Sequence, residues 1–141
     1  MKFDHDFVGR EGLERIKDRP RRKTWVLWDR DDVAKIYASM YEQGDRRFKY
    51  LEMPAAFYTS CQFDRVEKDG ELVGAAMLTV SSANVRGWIS LGTIDPAAAV
   101  GDQVEIVWGE PNGGSPNPAV ERHTQTRVRG TVISRPFPNR H

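Results

Sequence analysis

The spacing of apolar residues changes along this chain from a helical period to a strand period. Over residues 9–18, Leu13 and Ile16 lie three apart while Glu11, Glu14, Arg15 and Lys17 take the other faces, which predicts a short helix. Asp6 stands upstream as its cap, and Pro20 stops it. Thr24-Trp25-Val26-Leu27-Trp28 is aromatic and β-branched and reads as a buried strand. Residues 29–32 break it. Asp31 then caps a second predicted helix, roughly 32–42, with Val33, Ile36, Tyr37 and Met40 on one face and Gly44 at its end. Residues 45–56 mix Arg46, Arg47 and Lys49 with Phe48, Tyr50, Leu51 and Met53, and Pro54 argues against regular structure there.

From residue 57 the period is that of strands. Residues 57–68 and 71–80 flank Asp69-Gly70, a strong hairpin signal. Residues 81–85 are turn-like, 87–94 form another strand, and Asp95-Pro96 starts the next turn. In 103–108, Val104, Ile106 and Trp108 share one face. Residues 109–118 hold three Gly, two Asn and three Pro and read as a long loop. The last strand, 123–134, sets Val128 and Val132 against Arg127 and Arg129, and Pro136 and Pro138 end it. The expectation is a mainly β fold: an antiparallel, Greek-key or jelly-roll-like barrel of about six strands with two short N-terminal helices. It forms one domain, with a linker and helix in 1–20, a strand and helix in 21–44, and barrel strands in 57–135.

Composition narrows the class of partner more than the fold. The 141 residues suit a single domain, and 21 basic against 20 acidic residues leave a net charge of +1. That balance gives no argument for a nucleic-acid partner. Cys61 is the one cysteine, so no internal disulfide forms, which agrees with a reducing cytoplasm. No apolar run is long enough for a membrane helix, and the first residues lack a signal-peptide stretch, so neither a membrane nor secretion is expected. A helical pattern that starts by residue 9 suits a fragment of a longer protein as well as a compact natural one.

No catalytic set emerges from spacing. Gly113-Gly114 sits in a Pro- and Asn-rich loop and reads as a turn, not a phosphate cradle. His5, His123 and His141 are too widely spaced for a metal motif and read as surface histidines, so no metal is expected. Cys61 is either a nucleophile paired with His123 or a small buried hydrophobe. Arg19, Arg21, Arg22 and Lys23 cluster before the first strand. Arg21 and Arg22, with Arg46, Arg47 and Lys49, form either an anion-binding patch or solvated loops. Trp25, Trp28, Trp88 and Trp108 all sit in strand-like runs, in keeping with core packing or a domain interface.

Several ordered segments resemble one superfamily. Asp6-Phe7-Val8-Gly9-Arg10-Glu11-Gly12-Leu13 is similar to the segment that joins the folate-binding domains to the C-terminal barrel in aminomethyltransferases of the glycine cleavage T-protein type. Asp69-Gly70-Glu71-Leu72-Val73-Gly74, Ser90-Leu91-Gly92-Thr93-Ile94 and Val132-Ile133-Ser134-Arg135-Pro136-Phe137 extend the match. Residues 2–7, 31–39 and 108–114 resemble the branch of tetrahydrofolate-dependent vanillate and 3-O-methylgallate O-demethylases, which act in lignin-aromatic catabolism.

The resemblance implies a C-terminal accessory barrel, with no catalytic residue of its own. Methyl transfer from a methoxylated aromatic acid to tetrahydrofolate would take place mainly on upstream domains, in cis or in trans. It implies a folate-approaching role for Lys2, and it leaves room for a homo-oligomer. The tyrosine that follows the terminal Pro-Phe in some relatives is absent, since Phe137 is followed by Pro138-Asn139-Arg140-His141. A free-standing module for an anionic ligand or a protein partner is the competing reading.

Overall fold

Strands that alternate apolar and polar side chains have one face to bury, and six of them here bury it by closing on themselves. The computed structural model describes residues 8, 11, 12, 14, 21–43, 46–56, 63–114, 118 and 120–136. The strands are β1 (Arg22–Trp28), β2 (Asp64–Lys68), β3 (Glu71–Ser82), β4 (Gly87–Ile94), β5 (Gln103–Trp108) and β6 (Thr126–Ile133). One helix, α1 (Arg30–Ser39), follows β1. The closed order is β1-β4-β3-β2-β5-β6, and every pairing is antiparallel. β2, β3 and β4 form a meander, and β5 returns beside β2, which makes a Greek key.

The expected mainly β fold and six-strand antiparallel barrel are therefore present. Two helices were expected and one is found among the described residues. The expected helix at 9–18 lies largely outside them, as do residues 57–62 of the expected first hairpin strand. α1 begins two residues earlier than the pattern predicts, because Asp29, not Asp31, is its cap. The Asp29 carboxylate accepts from the Asp31 and Asp32 N–H groups at 3.1 and 3.0 Å.

The barrel interior is filled by Val26, Val66, Ala76, Ile94, Ile106, Val128 and Val132, each fully buried. Small residues let facing strands approach. A Cβ on Gly74 would lie 2.4 Å from the Thr93 carbonyl oxygen, and one on Gly130 would lie 2.6 Å from Val26 Cγ1. The β2–β3 turn puts Asp69 at φ 52° and Gly70 at φ 83°, the doubly left-handed geometry that an Asp-Gly pair favours in a two-residue hairpin.

A β-bulge between Met77 and Thr79 places the extra residue, Leu78, at φ 48°. It also turns Thr79 into the interior. There the Thr79 and Ser90 hydroxyls bond each other at 2.7 Å, and Trp28 Nε1 donates to Ser90 Oγ at 2.8 Å. These buried polar atoms thus satisfy one another.

The two barrel ends are closed differently. The β4–β5 crossover, residues 95–102, covers one end. Lys68 Nζ donates to Asp102 Oδ2 at 2.7 Å, Asp102 also accepts from Ala99 N–H at 2.8 Å, and Gly101 N–H donates to Val132 O at 2.8 Å. The Asp102 carboxyl is held below its usual range, first by the Lys68 hydrogen bond. At the opposite end stand Trp28, Trp88 and Trp108, covered by α1 and by residues 46–56. No helix among the described residues is long and apolar enough to cross a membrane.

α1 is pinned to the barrel by one charged anchor. Arg129 donates to Asp32 through Nε at 2.7 Å and Nη2 at 2.9 Å, and its backbone N–H donates to the same carboxylate at 3.1 Å. These bonds hold the Asp32 carboxyl far below the usual carboxylate range; burial opposes the shift and Lys35 adds to it.

A carboxyl whose folded-state pKa is depressed contributes stability that is fully present above its unfolded pKa of about 3.9 and is lost as pH falls. Asp32→Asn is therefore expected to lower stability at neutral pH by about 2 kcal/mol. Its deficit against the wild type should shrink between about pH 5 and about pH 3. Urea midpoints at the two pH values check this, and an unchanged deficit contradicts it.

Candidate functional site

The tryptophan end of the barrel concentrates the charged and polar groups that lie inside the protein. Trp108, the last residue of β5, is fully buried and meets Trp28 edge-on at 5.3 Å between ring centroids and 75° between planes. Its Nε1 donates to the Lys49 carbonyl at 2.8 Å. Lys49 itself is only 3% exposed; its ammonium lies 5.2 Å over the Trp108 ring and 3.5 Å from Glu110 Oε1. A lysine is rarely so buried without such company.

His123 completes the cluster. Its Nδ1 lies 2.8 Å from the Glu121 carbonyl, and its Nε2 accepts from the Glu110 N–H at 2.9 Å. With Nε2 accepting, Nδ1 carries the proton and donates to Glu121, the pattern of the neutral imidazole. Gly109, at φ 94°, passes so close that a Cβ there would sit 2.9 Å from His123 Cδ2. Gln125 Nε2 donates to the Gly109 carbonyl at 2.8 Å, and Gly113 O accepts from His123 N–H at 2.7 Å. The loop after β5 is thereby folded back onto the approach to β6. Glu110 Oε2 is buried without a hydrogen-bond partner among the described residues; His123 Nε2 is 3.9 Å away. The Gly113-Gly114 turn predicted from sequence is present, with Gly113 N–H donating to Glu110 O at 3.2 Å.

This arrangement settles where several candidates lie. His123 is 4% exposed, so it is not a surface histidine; the loop that reads as polar from sequence folds over it. Both of its ring nitrogens are held by backbone groups, which leaves no free lone pair for a Cys61 thiol, and Cys61 itself is outside the described residues. Lys2 is outside them too.

Arg21 and Arg22 stand at the start of β1, beside the crossover, where Arg22 Nη2 donates to the Ala98 carbonyl at 2.8 Å. Arg46 and Arg47 are exposed at the other end, where the Arg47 carbonyl accepts from Thr124 N–H at 2.7 Å. The fold does not bring the two pairs together.

Nor do the described residues fit a folate. A pterin needs an open aromatic slot and several converging donors and acceptors. Trp28, Trp88 and Trp108 are each buried by the barrel's own packing, and among the described residues a single carboxylate oxygen is the one buried side-chain atom without a partner. Sequence reading set Lys49 only in the candidate anion-binding patch and passed over Glu110 and Gln125 as site residues. Glu110 follows Trp108-Gly109 directly, but Lys49 lies 59 residues from Trp108 and carries no local signal.

No family model matches the chain. Syringate O-demethylase of Sphingobium sp. (strain NBRC 103272 / SYK-6) is 37% identical over 139 residues, which covers 97% of this chain and 30% of that protein. Sesamin methylene transferase of Sinomonas sp. (strain No.22) is 33% identical over 149 residues, covering 96% of this chain and 30% of that protein. The chain thus spans less than a third of the length of the curated relatives it matches.

Proposed function

We infer that this chain, which belongs with these O-demethylases and methylene transferases as a C-terminal domain of their family, is the accessory barrel of a tetrahydrofolate-dependent aryl-methyl-ether O-demethylase. One observation carries the reading: nearly the whole chain aligns with only 30% of each relative. The barrel interior supports it, because the Trp28, Thr79, Ser90, Trp108 and His123 polar groups of the tryptophan end are used in holding the fold. The methyl group would pass from a methoxylated aromatic acid to tetrahydrofolate on upstream folate-binding domains, in the cytoplasm. The barrel's part is to pack on those domains and help close the cleft between folate and aryl ether.

The isolated chain is expected to bind tetrahydrofolate weakly or not at all. Calorimetry against tetrahydrofolate, phenolic acids and a polyanion checks this. Micromolar binding of any of them by the lone chain would support a free-standing binding module instead.

A further inference from the structure

The outer wall of the barrel has two unlike sides. Across β2, β5 and β6 it is a ladder of charges that pair among themselves. Arg65 Nη2 lies 2.9 Å from Glu67 Oε1, and Arg127 Nη1 lies 2.7 Å from Glu67 Oε2 and 2.8 Å from Glu105 Oε2. Across β6, β1, β4 and β3 the register instead lines up Ile133, Trp25, Leu91 and Met77, all half-buried.

This apolar row runs into an edge of exposed apolar residues. Leu78 is 47% exposed, Phe63 61% and Met53 60%. Phe63 precedes Asp64, which pairs with Ala76, so it stands beside Met77 and Leu78. Met53 precedes Pro54, whose carbonyl accepts from Ser81 N–H at 2.7 Å on the same end of β3.

Leu78 is the informative residue. The bulge is needed to bring Thr79 to Ser90, but the bulged position does not need leucine. At φ 48° glycine or asparagine would be at ease, whereas a bulky side chain is uncommon there. Strain and exposure thus fall on one apolar residue, a combination that marks contact surfaces. We propose that the edge formed by Leu78, Phe63 and Met53, continued by the Met77–Leu91–Trp25 row, is the surface on which the larger part of the enzyme seats.

The inference rests on the accessory-barrel reading. Its occupant is the part of the O-demethylase that this chain does not match, the remaining length of relatives of which it covers 30%. The charged wall is the poorer candidate, because burying it would strip water from groups already paired in solvent.

The test uses the isolated chain and, as probe, the Sphingobium syringate O-demethylase without the 30% that this chain matches. Calorimetry is expected to show association with the wild-type chain. Leu78→Asn and Phe63→Gln should each weaken it tenfold or more. Arg65→Gln, on the charged wall, should leave it within about twofold. Leu78→Asn should also raise the urea midpoint of the free chain, so that lost association cannot be ascribed to unfolding. If the wild type binds and the two apolar variants bind as well, the surface is wrongly placed while the accessory reading stands. Failure of the wild type to bind overturns both. A dimer of the free chain that the variants dissolve would overturn the proposal by showing a second copy as the occupant.

Discussion

Trp108→Ala is expected to lower the unfolding free energy by about 3–5 kcal/mol, the largest loss from any single side chain in this barrel. Trp108 is fully buried, so its removal forfeits burial and leaves a cavity at the end of the core. The Lys49 carbonyl loses the indole N–H that satisfies it at 2.8 Å, and Trp28 loses its edge-on neighbour. The Lys49 ammonium loses the aromatic face 5.2 Å away while staying buried. Domains of this size are commonly stable by about 5–15 kcal/mol, so the variant is expected to retain little margin. Trp108→Phe keeps most of the volume but not the N–H, and should cost about 1–2 kcal/mol. Urea titration of the three proteins measures this. A Trp108→Ala loss below about 1 kcal/mol would mean that residues 46–51 do not depend on the tryptophan end.

Gly74→Ala is expected to cost about 3 kcal/mol, although it adds a single methyl group. Replacing glycine by alanine where the backbone allows it usually stabilises by about 0.4–1 kcal/mol through the unfolded state. Here the new Cβ would lie 2.4 Å from the Thr93 oxygen and 2.9 Å from Ile94 Cα. Both are backbone atoms of β4, so no side-chain rotation relieves the clash and β3 must move away from β4. Gly74 pairs with Val66 on one side and Ile94 on the other, so the displacement reaches two strand pairs. Chemical denaturation with circular dichroism is the check, and a neutral or stabilising outcome would contradict the registers of β3.

Local patterning made the strands legible, and residues joined only by the closed barrel were not. Asp69-Gly70 announced its hairpin because the turn's backbone demands are met by those two residues alone. Val104, Ile106 and Trp108 announced their shared face because side-chain direction alternates within one strand. The Leu78 bulge was hidden, since it arises from where Thr79 must meet Ser90 on a neighbouring strand. The burial of His123 was hidden because a Gly- and Pro-rich loop carries no sign of folding back over its own exit. The Asp32–Arg129 anchor joins residues 97 apart, and Asp32 reads locally as a first-turn helical acid. The four-arginine patch failed to assemble because nearness in composition says nothing about which end of a barrel a loop occupies.

The proposed role of this chain is to complete an enzyme whose chemistry lies elsewhere. The most direct measurement is O-demethylation in a full-length enzyme carrying this barrel, compared with the same enzyme lacking residues 1–141 and with the truncated enzyme supplied with the separate chain. The truncated enzyme is expected to lose most of its activity, the separate chain to show none, and the two together to recover it. Undiminished activity after the deletion would contradict the accessory role.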